Sequence, residues 1–82
     1  MITVRFFASL RERLGEDETT VDPEAATTVS EVQQTLAQRS ETWADSLSDH
    51  RVLAAVNQAM ARPDSPVEDG DEVAFFPPVT GG

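Results

Sequence analysis

Asp69-Gly70-Asp71-Glu72-Val73-Ala74-Phe75-Phe76-Pro77-Pro78-Val79-Thr80-Gly81-Gly82 closes the chain. Glu68 to Asp71 reads as a polar turn. Glu72 to Phe76 then reads as an apolar strand. Pro77 and Pro78 stop that strand, because proline donates no ladder hydrogen bond. Gly81 and Gly82 finish the chain without Cβ atoms, so the exit is narrow. Residues 77–82, fully extended, reach about 20 Å at roughly 3.3–3.6 Å each. A frayed terminus needs no rigid proline stem, and this one follows directly on a strand.

Working outward, strand alternation puts Val73 and Phe75 on one face and Phe76 on the other. The chain opens in the same manner. Ile2 to Ala8 reads as a strand with Ile2, Val4 and Phe6 on one side and Thr3, Arg5 and Phe7 on the other. Ser9 to Leu14 reads as a short helix. Ser9 and Glu12 stand at capping-box spacing, and Gly15 is placed for a left-handed C-cap. Thr19 to Val21 is an edge strand ended by Pro23. Thr28 and Glu31 form a second capping box ahead of the main helix, which carries Val29, Val32 and Leu36 on one face. That helix is predicted to end near Arg39 or Ser40. Glu41 to Leu47 is a further short helix presenting Trp43 and Leu47, with Trp43 as satellite core. Arg51 to Val56 is another apolar strand, Asn57-Gln58 a tight turn, and Ala59 to Arg62 its return strand. Interleaved elements of this kind predict an α+β fold: one mixed sheet with a main helix packed across one face. The folded domain spans 1–76 and the extended tail 77–82.

Composition narrows the function. The 82 residues carry 15 acidic and 6 basic side chains, a formal charge of −9. That balance argues against nucleic acid or an anionic membrane as ligand. All basic residues are Arg, and there is no Cys. A disulfide framework, a thiolate metal site and a cysteine nucleophile are therefore excluded. The longest run without charge or proline, Val52 to Ala61, is far short of the roughly 20 residues that a bilayer demands. No signal-peptide pattern opens the chain, so a cytoplasmic location is expected. His50, the one histidine, reads as a solvated turn residue. Glu68, Asp69, Asp71 and Glu72 lack the spacing of an EF-hand loop and read as a solvated turn.

The chain resembles the ubiquitin-like sulfur carriers of β-grasp fold, and within them the small subunits of molybdopterin synthase. Val4-Arg5-Phe6-Phe7-Ala8 with Arg11-Glu12 and Gly15 resembles the opening strand and helix of that family. Leu53-Ala54-Ala55-Val56-Asn57 resembles its middle strand, and residues 69–82 its closing strand and tail. The resemblance implies that the Gly82 carboxylate is adenylated by a ubiquitin-activating-type adenylyltransferase. ATP is a co-substrate of that enzyme, and no cofactor is bound by the chain itself. The acyl-adenylate becomes a thiocarboxylate, whose sulfur passes to a pterin precursor in the synthase large subunit. Gly81 would give the tail access to tight channels. Phe7, Met60 and Phe76 would form an exposed apolar patch that binds partners, joined by the stem residues Pro77, Pro78, Val79 and Thr80. The chain would thus be a non-catalytic, sulfur-donating subunit. Three other readings remain open: the sulfur carrier of thiamine synthesis, a protein modifier forming isopeptide bonds, and a plain β-grasp interaction module.

Overall fold

The computed structural model describes residues 1–49 and 51–77. Its elements in chain order are β1 (Ile2–Phe6), α1 (Ala8–Leu14), β2 (Glu18–Val21), α2 (Val29–Ala37), α3 (Glu41–Leu47), β3 (Leu53–Val56), β4 (Ala59–Ala61) and β5 (Glu72–Phe76). The strands form one mixed sheet in the order β2-β1-β5-β3-β4, the β-grasp arrangement. β1 and β5 run parallel, with Phe6 beside Phe75; every other pair is antiparallel.

Period-2 alternation sorts the side chains. Ile2, Val4, Phe6, Val21, Ala54, Val73 and Phe75 face the helices and are buried. Leu10, Leu14, Val29, Val32, Leu36, Trp43 and Leu47 meet them from α1, α2 and α3. Trp43 belongs to this main core, not to a satellite. Its ring meets Phe6 edge-on at 5.4 Å, and the Arg39 guanidinium lies 5.0 Å from its centre. Among the described residues, no helix is long and apolar enough to cross a membrane.

The main helix starts where its capping signal stands. Thr28 Oγ1 accepts from the Glu31 N–H at 3.2 Å. The Glu31 carboxylate reaches back one residue further than a standard capping box, to the N–H and hydroxyl of Thr27, both at 2.7 Å. α2 stops at Ala37, short of the predicted end, because Ser40 already caps α3 by accepting from the Trp43 N–H. At α1 the Ser9–Glu12 box does not form. The Phe7 N–H still donates to Phe75 O at 3.2 Å, which keeps Phe7 extended as N-cap and moves the turn to Ala8, at φ 55°. The helix therefore begins before Ser9 can cap it. Gly15 closes it in the left-handed conformation, as its position predicts. β3 begins at Leu53 rather than Arg51, since the Val52 N–H donates to Asp49 O rather than to a neighbouring strand.

Asn57 and Gln58, at φ 50° and 71°, make the left-handed two-residue turn that joins β3 to β4. Asn57 also ties the hairpin to the sheet centre. Its side-chain oxygen accepts from the Glu72 N–H at 3.0 Å, and its amide donates to Asp71 at 3.1 Å.

Thr28→Ala is expected to cost about 1 kcal/mol in urea unfolding, the usual loss for an N-cap. The two Thr27 hydrogen bonds, backbone first, hold the Glu31 carboxyl below its ordinary value of 4.5. A depressed carboxyl stabilises the fold above the unfolded value and loses that contribution as pH falls through the folded one. The stability gap between the wild-type chain and Glu31→Gln should accordingly be full near neutrality and close as the pH drops below 4.5.

Candidate functional site

The helices cover one face of the sheet and leave the other open. On the open face stand Glu18 and Thr20 of β2, Thr3 and Arg5 of β1, and Glu72, Ala74 and Phe76 of β5. Leu53 and Ala55 of β3 and Met60 of β4 complete it. The register fixes this set: Leu53 pairs with Phe76, Ala55 with both Ala74 and Met60, and Arg5 with Ala74. Met60 is 67% exposed, Phe7 42% and Leu53 37%. Phe76 and Pro77 are half-buried. Ala55 is buried yet lies outside the core cluster, as a small residue roofed by its neighbours on the open face would.

The predicted trio of Phe7, Met60 and Phe76 is therefore exposed or half-exposed on the outward side. Phe7 reaches it differently from the expectation. It is the N-cap of α1, beyond the end of β1, rather than a strand residue. Its ring lies 5.8 Å under the Arg5 guanidinium. Sequence reading missed Leu53, which extends the apolar strip between Phe76 and Met60. The signal was present: Leu53 alternates with the buried Ala54, and only its pairing with Phe76 was hidden. Of the other predicted residues, Pro77 continues from β5 next to this strip. Pro78, Val79, Thr80, Gly81 and Gly82 lie outside the described residues, as does His50.

Among the described residues, no cluster of catalytic groups competes with this face. Among the described residues, no group of three or more His, Cys, Asp or Glu side chains is placed to hold a metal ion. The depressions elsewhere are shallow. One, lined by Arg11, Glu12, Gly15, Glu16 and Asp17, has mixed charge. Another lies over Ser30, Gln33, Gln34 and Pro63. Their lining offers no nucleophile with an adjacent base. What the arrangement provides is an apolar strip on a sheet face, with Pro77 at its margin.

The ThiS family model matches residues 4–82. The chain belongs to the ThiS family. Within reach of this family member are two curated relatives covered, like the chain itself, over their full length. The molybdopterin synthase sulfur carrier subunit of Escherichia coli (strain K12) is 52% identical over 82 residues. The protein of the same name from Haemophilus influenzae is 44% identical. Among solved structures, a chain from the complex of subunits 1 and 2 of molybdopterin-converting factor of Helicobacter pylori superposes with a TM-score of 0.68. It is 27% identical, and the match covers 99% of this family member and 97% of that chain.

Substitution should separate the two sides of the sheet. Met60→Ser is expected to change unfolding free energy by no more than about 0.5 kcal/mol, as for an exposed position. Phe75→Ala, on the buried side, should cost about 3–5 kcal/mol. Equilibrium urea denaturation with circular dichroism measures both.

Proposed function

We propose that this chain is the sulfur carrier of a molybdopterin synthase and that its reactive group is the carboxylate of Gly82. The observation that carries the reading is the full-length match, at 52% identity, to a protein of that function. The geometry supports it, because β5 delivers the chain toward Pro77 beside an apolar face suited to docking. The absence of Cys leaves no side-chain thiol to carry transferable sulfur.

The chemistry follows from the poor reactivity of a carboxylate. A ubiquitin-activating-type adenylyltransferase lets the Gly82 carboxylate attack the α-phosphate of ATP, with pyrophosphate leaving. A sulfide equivalent then attacks the acyl carbon and AMP departs, so a thiocarboxylate replaces the carboxylate. Its soft, ionised sulfur is the nucleophile that reaches the pterin precursor in the large subunit. The chain itself binds no cofactor in this scheme. Its contribution is delivery. Gly81 and Gly82 present backbone thin enough for a closed channel, while Phe7, Leu53, Met60 and Phe76 hold the globule against the partner. Pro77, Pro78, Val79 and Thr80 make up the stem between them.

Incubation with the activating enzyme, ATP and a sulfur donor should raise the intact mass by the difference between sulfur and oxygen. Deleting Gly82 should abolish that gain while leaving the circular dichroism spectrum unchanged. Loading that survives the deletion would reject the mechanism. Met60→Arg should weaken binding to the large subunit at least tenfold, about 1.4 kcal/mol, in titration calorimetry. The acceptor discriminates the remaining readings. Sulfur passed to a thiazole precursor would indicate thiamine synthesis, and amide conjugates on lysines would indicate a modifier.

A further inference from the structure

α1 starts without the device its sequence supplies. Phe7 stands at the N-cap with no side-chain cap, and Ala8, the first helical residue, takes φ 55°. That region strains any residue with a Cβ. The two backbone bonds that hold this start are long. The Phe7 N–H reaches Phe75 O at 3.2 Å and the Arg11 N–H reaches Phe7 O at 3.4 Å, against about 2.9–3.0 Å for an ordinary N–H···O bond. No acidic side chain lies in the first turn to meet the positive helix end. One residue beyond Ala8 the chain carries a second start. Ser9 and Glu12 stand at capping-box spacing, and both are exposed. Among the described residues, neither side chain makes a hydrogen bond or an ion pair.

The two starts exclude each other. As N-cap, Ser9 needs extended backbone, which moves the turn off Ala8. The left-handed turn at Ala8 is what lets Phe7 stay paired with β5 while Leu10 and Leu14 stay buried. A helix beginning at Leu10 keeps both leucines on one face but gives up the Phe7–Phe75 bond. It gains two bonds in return: Ser9 Oγ accepts from the Glu12 N–H, and the Glu12 carboxylate accepts from the Ser9 N–H. It also relieves Ala8 and brings an acid into the first turn. Loss and gain are each of a few local interactions, so the two frames lie close in energy. We propose that α1 exchanges between two starts, the observed one at Phe7 and a minor one capped by Ser9, and that the minor one opens the Phe7 rung between β1 and β5. That rung lies one residue before Phe76, so the frame of α1 sets how firmly the C-terminal end of β5 is held. The exchange belongs to the free chain and goes beyond the sulfur-carrier reading, since it does not depend on what reacts at Gly82.

Relaxation dispersion and amide hydrogen exchange, read by NMR on the full chain, test this. A minor frame populated at about 1–10% should give microsecond-to-millisecond dispersion at the amides from Phe7 to Glu12, with Val32 in α2 flat. Ser9→Ala should lower the minor population about fivefold, the effect of one lost N-cap, and slow exchange of the Phe7 N–H by the same factor. Ser9→Thr, which still caps, should keep both within about twofold of the wild-type chain. Ala8→Gly, which frees the observed start of its strain, should also lower them about fivefold. In the observed start the Ser9 hydroxyl is unbonded, so a merely structural role predicts the same Phe7 exchange in both Ser9 variants. Flat profiles from Phe7 to Glu12 in the wild-type chain, or Phe7 exchange unmoved by Ser9→Ala, overturn the inference. Dispersion of equal population at Val32 overturns it too, because it reports opening of the whole fold. None of these results touches the carrier reading, which sulfur loading at Gly82 tests separately by mass.

Discussion

Parallel pairing of β1 with β5 is the constraint on which the rest of the molecule depends. A parallel pair cannot be closed by a hairpin and needs a long crossover. Here the crossover is nearly the whole chain between Phe6 and Glu72, and all three helices lie within it. The same pairing puts β5 in the middle of the sheet, flanked by β1 and β3. The Phe6 and Phe75 rings stack at 6.4 Å in the core below. The strand that leads to the tail is thereby the best-supported strand of the fold. On the sulfur-carrier reading, in which the Gly82 carboxylate reacts on another protein, a firmly held β5 fixes the point from which the last residues depart.

Alternation along the two paired strands then divides labour between adjacent residues. Phe6 and Phe75 point to the helices and are about 1% exposed. Phe7 and Phe76, one position on, face the other way. An aromatic doublet in extended backbone supplies a core and the opposite sheet face together, because neighbouring side chains are sent to opposite sides. Phe7 achieves its outward position through the continued hydrogen bond to Phe75 O, with the turn displaced onto Ala8. Backbone strain at a left-handed alanine, of order 1–2 kcal/mol, sits at the margin of the candidate site.

Charge is distributed with similar economy. Arg39 reaches Thr19 Oγ1 at 2.8 Å and Thr20 O at 3.2 Å while lying over Trp43, so it covers the β2 edge of the sheet. Arg5 is held between Glu72 and Phe7 on the open face. These two arginines use the flat, forked guanidinium for stacking and directed hydrogen bonding, which a lysine ammonium would not reproduce. The acidic excess remains at the surface, where it gives long-range attraction toward basic partners.

Much of this was legible in the residues. Local signals carried the element list: the Thr28 cap, the left-handed Gly15, the Asn57-Gln58 turn, and the alternation that exposed Phe76 and buried Phe75. Each of these is decided within a few residues, by sterics and short-range hydrogen bonds. The readings that failed depended on distant chain. Ser9 lost its cap because β5 holds Phe7 extended, and Trp43 entered the main core because α3 folds back over Phe6. Leu53, which the sequence reading had not placed on the strip, joined it because it is registered against Phe76. By itself the sequence determined which segments become strands and helices, and which face of each is apolar. Tertiary structure alone decided strand order and register, since pairing energies depend on which faces meet once the core has collapsed.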